Sequence, residues 1–147
     1  MIGLSAIWIQ PRAPDRFADY LARMVRTALR EYRMDVVTND MPQVRRFMAA
    51  RGAPADYVLP AGLAQLQLTG GGLLWWRSRP VAMVCFNRGD DQMLFLFVLE
   101  VSAVKDPPPA APRLSKVNKL LTACWTGDGM TYILAGPEET DFLRKYF

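Results

Sequence analysis

Two cysteines and two pairs of carboxylates are the side chains of this sequence whose types could support catalysis. Cys85 and Cys124 lie far apart and outside any Cys-x-x-Cys motif, so their spacing indicates neither a redox motif nor a metal site. A reactive thiol needs a neighbouring cation, base or helix N-terminus that lowers its pKa, and the chain contains no histidine. We therefore predict that the protein is not an enzyme. A thiol-dependent enzyme at either cysteine and a cross-strand disulfide between them remain the alternatives.

The carboxylate pairs Asp90-Asp91 and Glu138-Glu139 are candidates for binding a hard cation. Such cations need several oxygens converging from a shaped loop, and neither pair lies in an EF-hand pattern. The absence of histidine excludes a His-based triad and a His-containing zinc site, and two cysteines are too few for an all-cysteine zinc site. We predict no metal and no cofactor.

Two short motifs have simpler explanations than the functions they suggest. The run Gly70-Gly71-Gly72 lacks the Gly-Lys-Ser/Thr ending of a phosphate loop, and a strand-like Leu-Leu-Trp-Trp follows it. The run therefore predicts a tight turn or a β-bulge. The tripeptide Arg88-Gly89-Asp90 lies in a segment rich in turn-forming residues and indicates a hairpin loop rather than an adhesion site.

Aromatic and proline-rich segments are the candidate interaction surface. Trp75 and Trp76 are adjacent in a predicted strand, so their indoles point to opposite faces and one of them should be partly exposed. For the tryptophans, the alternative to an interaction surface is a packed aromatic core. For the proline-rich segment, the alternative is an insertion without a binding role. Basic residues do not alternate with the aromatic ones, so we predict no nucleic-acid partner. The candidate residues are Trp75, Trp76, Trp125, Pro107, Pro108 and Pro109.

Hydrophobic periodicity predicts that helices come first and a β-meander follows. Apolar residues at three- and four-residue spacing after Asp15 predict an amphipathic helix whose other faces carry arginines, and a strand and a second helix ending at Gly52 follow. The segment from Lys105 to Asn118 predicts a long, exposed and mobile hairpin loop. The predicted fold class is α+β with the helices packed on one sheet face: N-terminal helices, an antiparallel meander of about five to six strands, and a C-terminal helix opening at Gly136 and packed on that face.

Length and composition suit one soluble domain. The 147 residues are 51% hydrophobic, and 18 Lys and Arg against 14 Asp and Glu give a net charge of +4, which is too weak to indicate nucleic-acid binding. The apolar stretch Met1–Ile9 is shorter than the ~20 residues that span a bilayer. We predict that residues 1–14 form an apolar stub or linker, either the end of a membrane helix or a segment packed on the domain, and that residues 15–147 form a single domain.

Three segments match a family pattern in the family's order. They are VVTNDMPQVRRFMAARG, LTGGGLLWWRSRPVAMVCFNRGDDQMLFLFV and CWTGDGMTYILAGPEETDFLRKYF, with a proline-rich loop before the third. From Asp35 to Phe147 the chain thus resembles the C-terminal, extracytoplasmic part of bacterial membrane-anchored anti-sigma factors. It departs from the pattern at Ile133, where the family often has Trp, and at Gly136-Pro137, where it has Ser-Asp. The family's zinc-binding, sigma-clasping module is absent.

The resemblance implies a non-enzymatic sensor or regulatory domain on the extracytoplasmic, periplasmic face of a bacterial inner membrane. The implied partners are a protein or a small signal on the outer face, the membrane through an upstream helix, and a sigma factor only through the missing N-terminal module. The alternative is a stand-alone soluble module that binds a peptide or a small apolar ligand on the aromatic face of the sheet.

Overall fold

The described part of the chain folds around an antiparallel sheet of seven strands with helices on both faces. The computed structural model describes residues 16–30, 32–89, 91–137 and 143–147. Within these ranges the helices are α1 (Phe17–Arg30), α2 (Met41–Ala50) and α3 (Ala61–Ala64), and 3-10 turns cover Val101–Ala103 and Leu143–Tyr146. The strands are β1 (Val36–Val37), β2 (Gln67–Trp76), β3 (Arg79–Asn87), β4 (Met93–Glu100), β5 (Arg113–Val117), β6 (Leu120–Gly127) and β7 (Met130–Pro137).

The sheet order is β1-β2-β3-β4-β7-β6-β5, and every neighbouring pair is antiparallel. Two-residue turns join β2 to β3 and β6 to β7, and both residues of each turn have positive φ. That conformation is typical of the hairpin turn whose twist matches the strands. The turns are Arg77-Ser78 and Asp128-Gly129. The α+β class and the antiparallel sheet predicted from the sequence are confirmed.

Successive side chains of the central strands alternate between two separate cores. On one face, Val84, Leu96 and Leu134 pack with Val44 and Met48 of α2; we call it the α2 face. On the other, which we call the α1 face, residues of α1 pack against the sheet: Phe17, Tyr20 and Met24 with Met83, Phe97 and Ile133. The prediction of helices on one face was wrong, because strands that are apolar on both sides need a covering layer on each.

The proline-rich segment forms a strand and a bound loop rather than a free hairpin loop. β5 takes up Arg113–Val117 and pairs with β6, which makes the strand count seven. The backbone N–H of Phe17 donates to the carbonyl of Lys105 at 2.8 Å. Thr126 donates through its Oγ1 to the carbonyl of Pro108 at 2.6 Å and through its N–H to that of Pro109 at 3.0 Å. These bonds attach the loop to α1 and to β6.

The two ends of the chain are only partly described. The predicted apolar stub at residues 1–14 lies outside the described residues, as do residues 138–142 of the predicted C-terminal helix. β7 continues through Gly136 and Pro137, where the sequence predicted the helix to open. The described part after it, Leu143–Tyr146, is a 3-10 turn, and Tyr146 is buried in the core of the α2 face.

Candidate functional site

The two thiols are buried in separate strands. Cys85 of β3 and Cys124 of β6 are both free and lie in the core of the α1 face. Three strand spacings separate β3 from β6, about 14 Å, so the alternative of a cross-strand disulfide is wrong. Burial raises the pKa of each thiol to about 12; for Cys124 the hydrogen bond with Thr122 and the charge of Arg113 oppose this rise. Neither side chain is therefore an activated nucleophile in this arrangement.

The predicted carboxylate pairs form no described cation site. Asp91 lies exposed in the turn between β3 and β4, at φ 57°. Asp90 and Glu138-Glu139 lie outside the described residues. Among the residues that the structure describes, no three His, Cys, Asp or Glu side chains are close enough together to hold a metal ion.

The neighbouring tryptophans lie on opposite faces of β2, as the sequence predicted. Trp76 is 3% exposed and packs in the core of the α1 face against Tyr20, with ring centroids 5.7 Å apart. Trp75 lies on the α2 face and is 55% exposed. Trp125 is 9% exposed because it stacks on Tyr132, with ring centroids 5.0 Å apart and planes 3° apart. Trp76 and Trp125 thus belong to the core, and Trp75 alone of the three offers its indole to a partner.

The proline-rich loop does not join Trp75 in one surface. Pro107 and Pro109 are exposed, whereas Pro108 is buried. The loop is bound to β6 through Thr126, and four strand spacings, about 19 Å, separate β6 from β2. The candidate residues thus divide into one exposed indole, two core indoles and a distant loop.

Trp75 stands at the end of an open groove between β2 and α2. The groove has a volume of about 420 Å³ and is lined by Asp35, Phe47, Arg51, Leu73 and Trp75. The guanidinium of Arg51 lies over the Phe47 ring, 3.6 Å from its centroid, and donates to the Phe47 carbonyl at 3.1 Å. The Leu73 N–H donates to Oδ2 of Asp35 at 2.7 Å. The exposed surface of the groove is therefore mostly polar, with the Arg51 guanidinium on one wall and the Asp35 carboxylate on the other.

The glycine run allows the chain before α2 to lie close against β2. The register of β2 shifts between Leu68 and Gly70, which confirms the predicted β-bulge. A Cβ on Gly72 would stand 2.3 Å from the carbonyl oxygen of Arg33, and one on Gly70 would stand 2.2 Å from that of Val36. Only glycine leaves room for the two backbones to come this close. Their close approach brings the Asp35 carboxylate within hydrogen-bond distance of the Leu73 N–H.

Among the described residues, no strand pairs with the outer edge of β2 beside Trp75. Gly71 directs its carbonyl outward, where it accepts from the Asp35 N–H at 2.9 Å, and Leu73 directs its N–H outward to the Asp35 carboxylate. Backbone groups alternate sides along a strand, so the N–H and C=O of Trp75 point to the same edge. β1 pairs only with Gly70 and Gly71, and no described strand continues along the edge to Trp75.

Sequence reasoning found Trp75 but not its surroundings. Phe47 and Arg51 come from α2, where their spacing of four residues predicts adjacency on a helix face but not which strand they meet. Asp35 carried no motif signal. The glycine run was the available clue, since glycines inside a strand indicate close approach of another backbone.

Comparisons with known proteins give no match. No protein-family model, no curated protein and no solved structure matches the chain. Within the described residues, no helix has the length and apolar character that crossing a bilayer requires.

Proposed function

We propose that this chain is a non-enzymatic binding domain that holds an extended peptide segment of a protein partner beside Trp75. The observation that carries the proposal is the coincidence of three features: an indole that is 55% exposed, an open groove beside it, and backbone groups at the same strand end that pair with no described strand. An extended peptide can use the backbone edge for hydrogen bonds and the groove for an alternate side chain.

The groove offers a side chain of the peptide both apolar contact and polar groups. Phe47, Leu73 and Trp75 supply apolar contact, and the carboxylate of Asp35 is already bonded to the Leu73 N–H. Arg51 is held over Phe47, so its guanidinium can meet a carboxylate or carbonyl of the peptide with little further ordering. The buried thiols, with pKa raised to about 12, support a binding role over a thiol-dependent reaction.

A sensor domain of an anti-sigma-type regulator is the more specific form of this proposal. Its support is the order of the elements, in which helices precede a glycine-containing hairpin and a final hairpin. The charge of the chain counts against an extracytoplasmic location for it. Arg12, Arg16, Arg23 and Arg26 all follow closely on the apolar stretch Met1–Ile9, and basic residues near a membrane span favour the cytoplasmic side.

Selection from a display library of linear peptides tests the binding function. We expect the selection to yield peptides with an apolar residue in an extended stretch. Trp75→Ala should lower the affinity for these peptides at least about tenfold, as the loss of a central aromatic contact does. Val58→Ala is the matched control, because Val58 is also an exposed apolar residue and lies in the loop between α2 and α3, outside the groove lining. Selected peptides that bind Trp75→Ala as tightly as the wild type, or a selection that yields none, would overturn the proposal.

Fractionation of source cells tests the more specific form. Peptide mapping of the native protein should find it in the membrane fraction, with peptides upstream of Met1. Protease added to spheroplasts should then cleave it if the domain lies outside the membrane. A native protein that is complete at Met1 and in the soluble fraction would exclude the sensor form and leave the binding domain standing.

A further inference from the structure

The exposed face of α1 carries a stripe of arginines. Arg23, Arg26 and Arg30 follow at spacings of three and four residues and are all exposed, whereas Tyr20 and Met24 of the same helix are buried. At 1.5 Å per residue, Arg23 and Arg30 are about 10 Å apart along the helix axis. The buried side of α1 is therefore occupied by the core, and its basic side faces outward.

A second element brings another cation to this stripe. Lys119 lies in the turn between β5 and β6, beside the C-terminal end of α1. With Asn118, it lines an open groove of about 720 Å³ together with Arg26, Leu29 and Arg30. Leu29 is 41% exposed and lies among these cations. We call Arg23, Arg26, Arg30, Lys119 and Leu29 the basic face.

No described carboxylate neutralises the basic face. Neither the groove with Lys119 nor the adjoining groove of about 310 Å³, which Arg23, Arg26, Thr27 and Arg30 line, has Asp or Glu in its described lining. Asp19 lies one helical turn before Arg23, but no ion pair joins them among the described residues. The described ion pairs join Arg46 to Asp40 and Arg79 to Glu100, elsewhere in the fold.

We propose that the basic face docks the domain on an anionic phospholipid surface. Several cations on an outward helix stripe, with an exposed leucine among them, match an array of anionic headgroups above an acyl boundary. Both grooves are open and no described aromatic ring stands free in them to stack a base, which favours a lipid surface over single-stranded nucleic acid. The apolar stretch Met1–Ile9 precedes α1 closely and would hold α1 near any bilayer that it enters.

Flotation of the full chain with vesicles tests this proposal. We expect binding to phosphatidylcholine vesicles that contain phosphatidylglycerol, little binding to pure phosphatidylcholine, and weakening by salt. The triple variant Arg23→Gln, Arg26→Gln, Arg30→Gln should lose about a hundredfold in affinity, since each basic residue near an anionic surface contributes roughly fivefold. Glutamine is nearly as good a helix former as arginine, so α1 should be kept.

The matched control removes the same charge from the other face of the molecule. It is the triple variant Arg46→Gln, Arg51→Gln, Lys145→Gln, whose residues are all exposed and lie outside α1. Equal losses in the two triple variants would show an effect of net charge alone and would overturn the proposal. Binding of a single-stranded oligonucleotide or of inorganic phosphate that depends on the same arginines, without vesicle binding, would also overturn it.

A second measurement keeps all the arginines. In Leu29→Cys, an environment-sensitive fluorophore can be attached selectively, because the two native thiols are buried. We expect a blue shift of its emission on adding the anionic vesicles and none for the same fluorophore at Val58→Cys. An unchanged emission at Leu29→Cys, or an equal shift at both positions, would contradict docking through the basic face.

Discussion

Arg45 of α2 is the side chain whose removal should most clearly test how the α2 face is held together. Its Nη1 donates to the carbonyl of Ala55 at 2.6 Å and to that of Tyr57 at 2.9 Å, and its guanidinium lies over the Tyr57 ring, 4.2 Å from the centroid. These contacts fasten the loop after α2 to the helix. Val58 continues this attachment, since its N–H donates to the Tyr132 hydroxyl at 3.1 Å.

We expect Arg45→Ala to lower the free energy of unfolding by about 3 kcal/mol. Two hydrogen bonds from a charged donor in a partly buried site contribute about 2–3 kcal/mol together, and the cation–π contact adds about 0.5–1 kcal/mol. The better helix propensity of alanine offsets a few tenths of a kcal/mol. For a chain of this size the loss corresponds to a fall in Tm of about 6–12 °C.

Thermal and denaturant unfolding of three variants provides the assay. Arg46→Ala is the matched control, because Arg46 is adjacent and its interaction within the described residues is a 4.0 Å ion pair with Asp40 between exposed side chains. Losing this pair should lower the free energy of unfolding by less than about 1 kcal/mol. Arg45→Lys keeps a charge and a donor but not the planar stack, and should recover about half of the stability. If the free energies of unfolding of Arg45→Ala and Arg46→Ala differ by less than about 1 kcal/mol, the loop is not held by these contacts.

Three further predictions concern the sheet. Because burial raises the pKa of Cys85 and Cys124 from 9.0 to about 12, neither thiol should react with a disulfide reagent at neutral pH until the protein is denatured, and labelling in the native state would contradict this. The folded thiols keep their protons at pH values where the unfolded ones lose them, so stability should fall as pH rises from about 9 to 12, measurable by urea denaturation. Gly72→Ala should cost about 2 kcal/mol or more, since its Cβ would stand 2.3 Å from the Arg33 carbonyl oxygen. Gly127→Ala, with nothing within 4 Å of its Cβ, should be close to neutral, and equal Tm values for the two variants would refute the close-approach argument.

The hairpins were the most predictable part of the fold, because turn chemistry is local. Asp128-Gly129 adopts positive φ at both positions, a conformation that glycine and aspartate tolerate and the neighbouring apolar residues resist. β5 was not predictable in the same way. Its residues Arg113–Val117 follow Pro112 and give only a weak alternation, with partly buried and exposed positions. The strand forms because the turn at Asn118, whose φ is 53°, brings it against the edge of β6 that does not pair with β7.

Helix periodicity predicted the burial of Phe17 and Met24, but it also placed Leu29, which is 41% exposed, on the apolar side, and it did not show which face of the sheet α1 covers. Phe17, Tyr20 and Met24 could pack on an apolar surface on either side of the sheet. The central strands are apolar on both faces and therefore present two such surfaces. The connection after α1 decides the matter. Residues 33–36 pass over the edge of β2 at the glycine run, so α1 lies on one face and α2 on the other.

That crossing also separates the two proposed binding surfaces. The Trp75 groove opens on the α2 face, whereas the basic face lies on the outer side of α1, beyond both the sheet and the α1 core. The layers between them exceed the roughly 7–10 Å over which substitutions couple directly. Arg51→Gln in the control triple therefore perturbs the peptide groove without touching the membrane surface, and Trp75→Ala leaves all four cations of the basic face in place. Each set of variants controls for the other, and a domain resting on a bilayer through α1 would present Trp75 on the side away from the lipid.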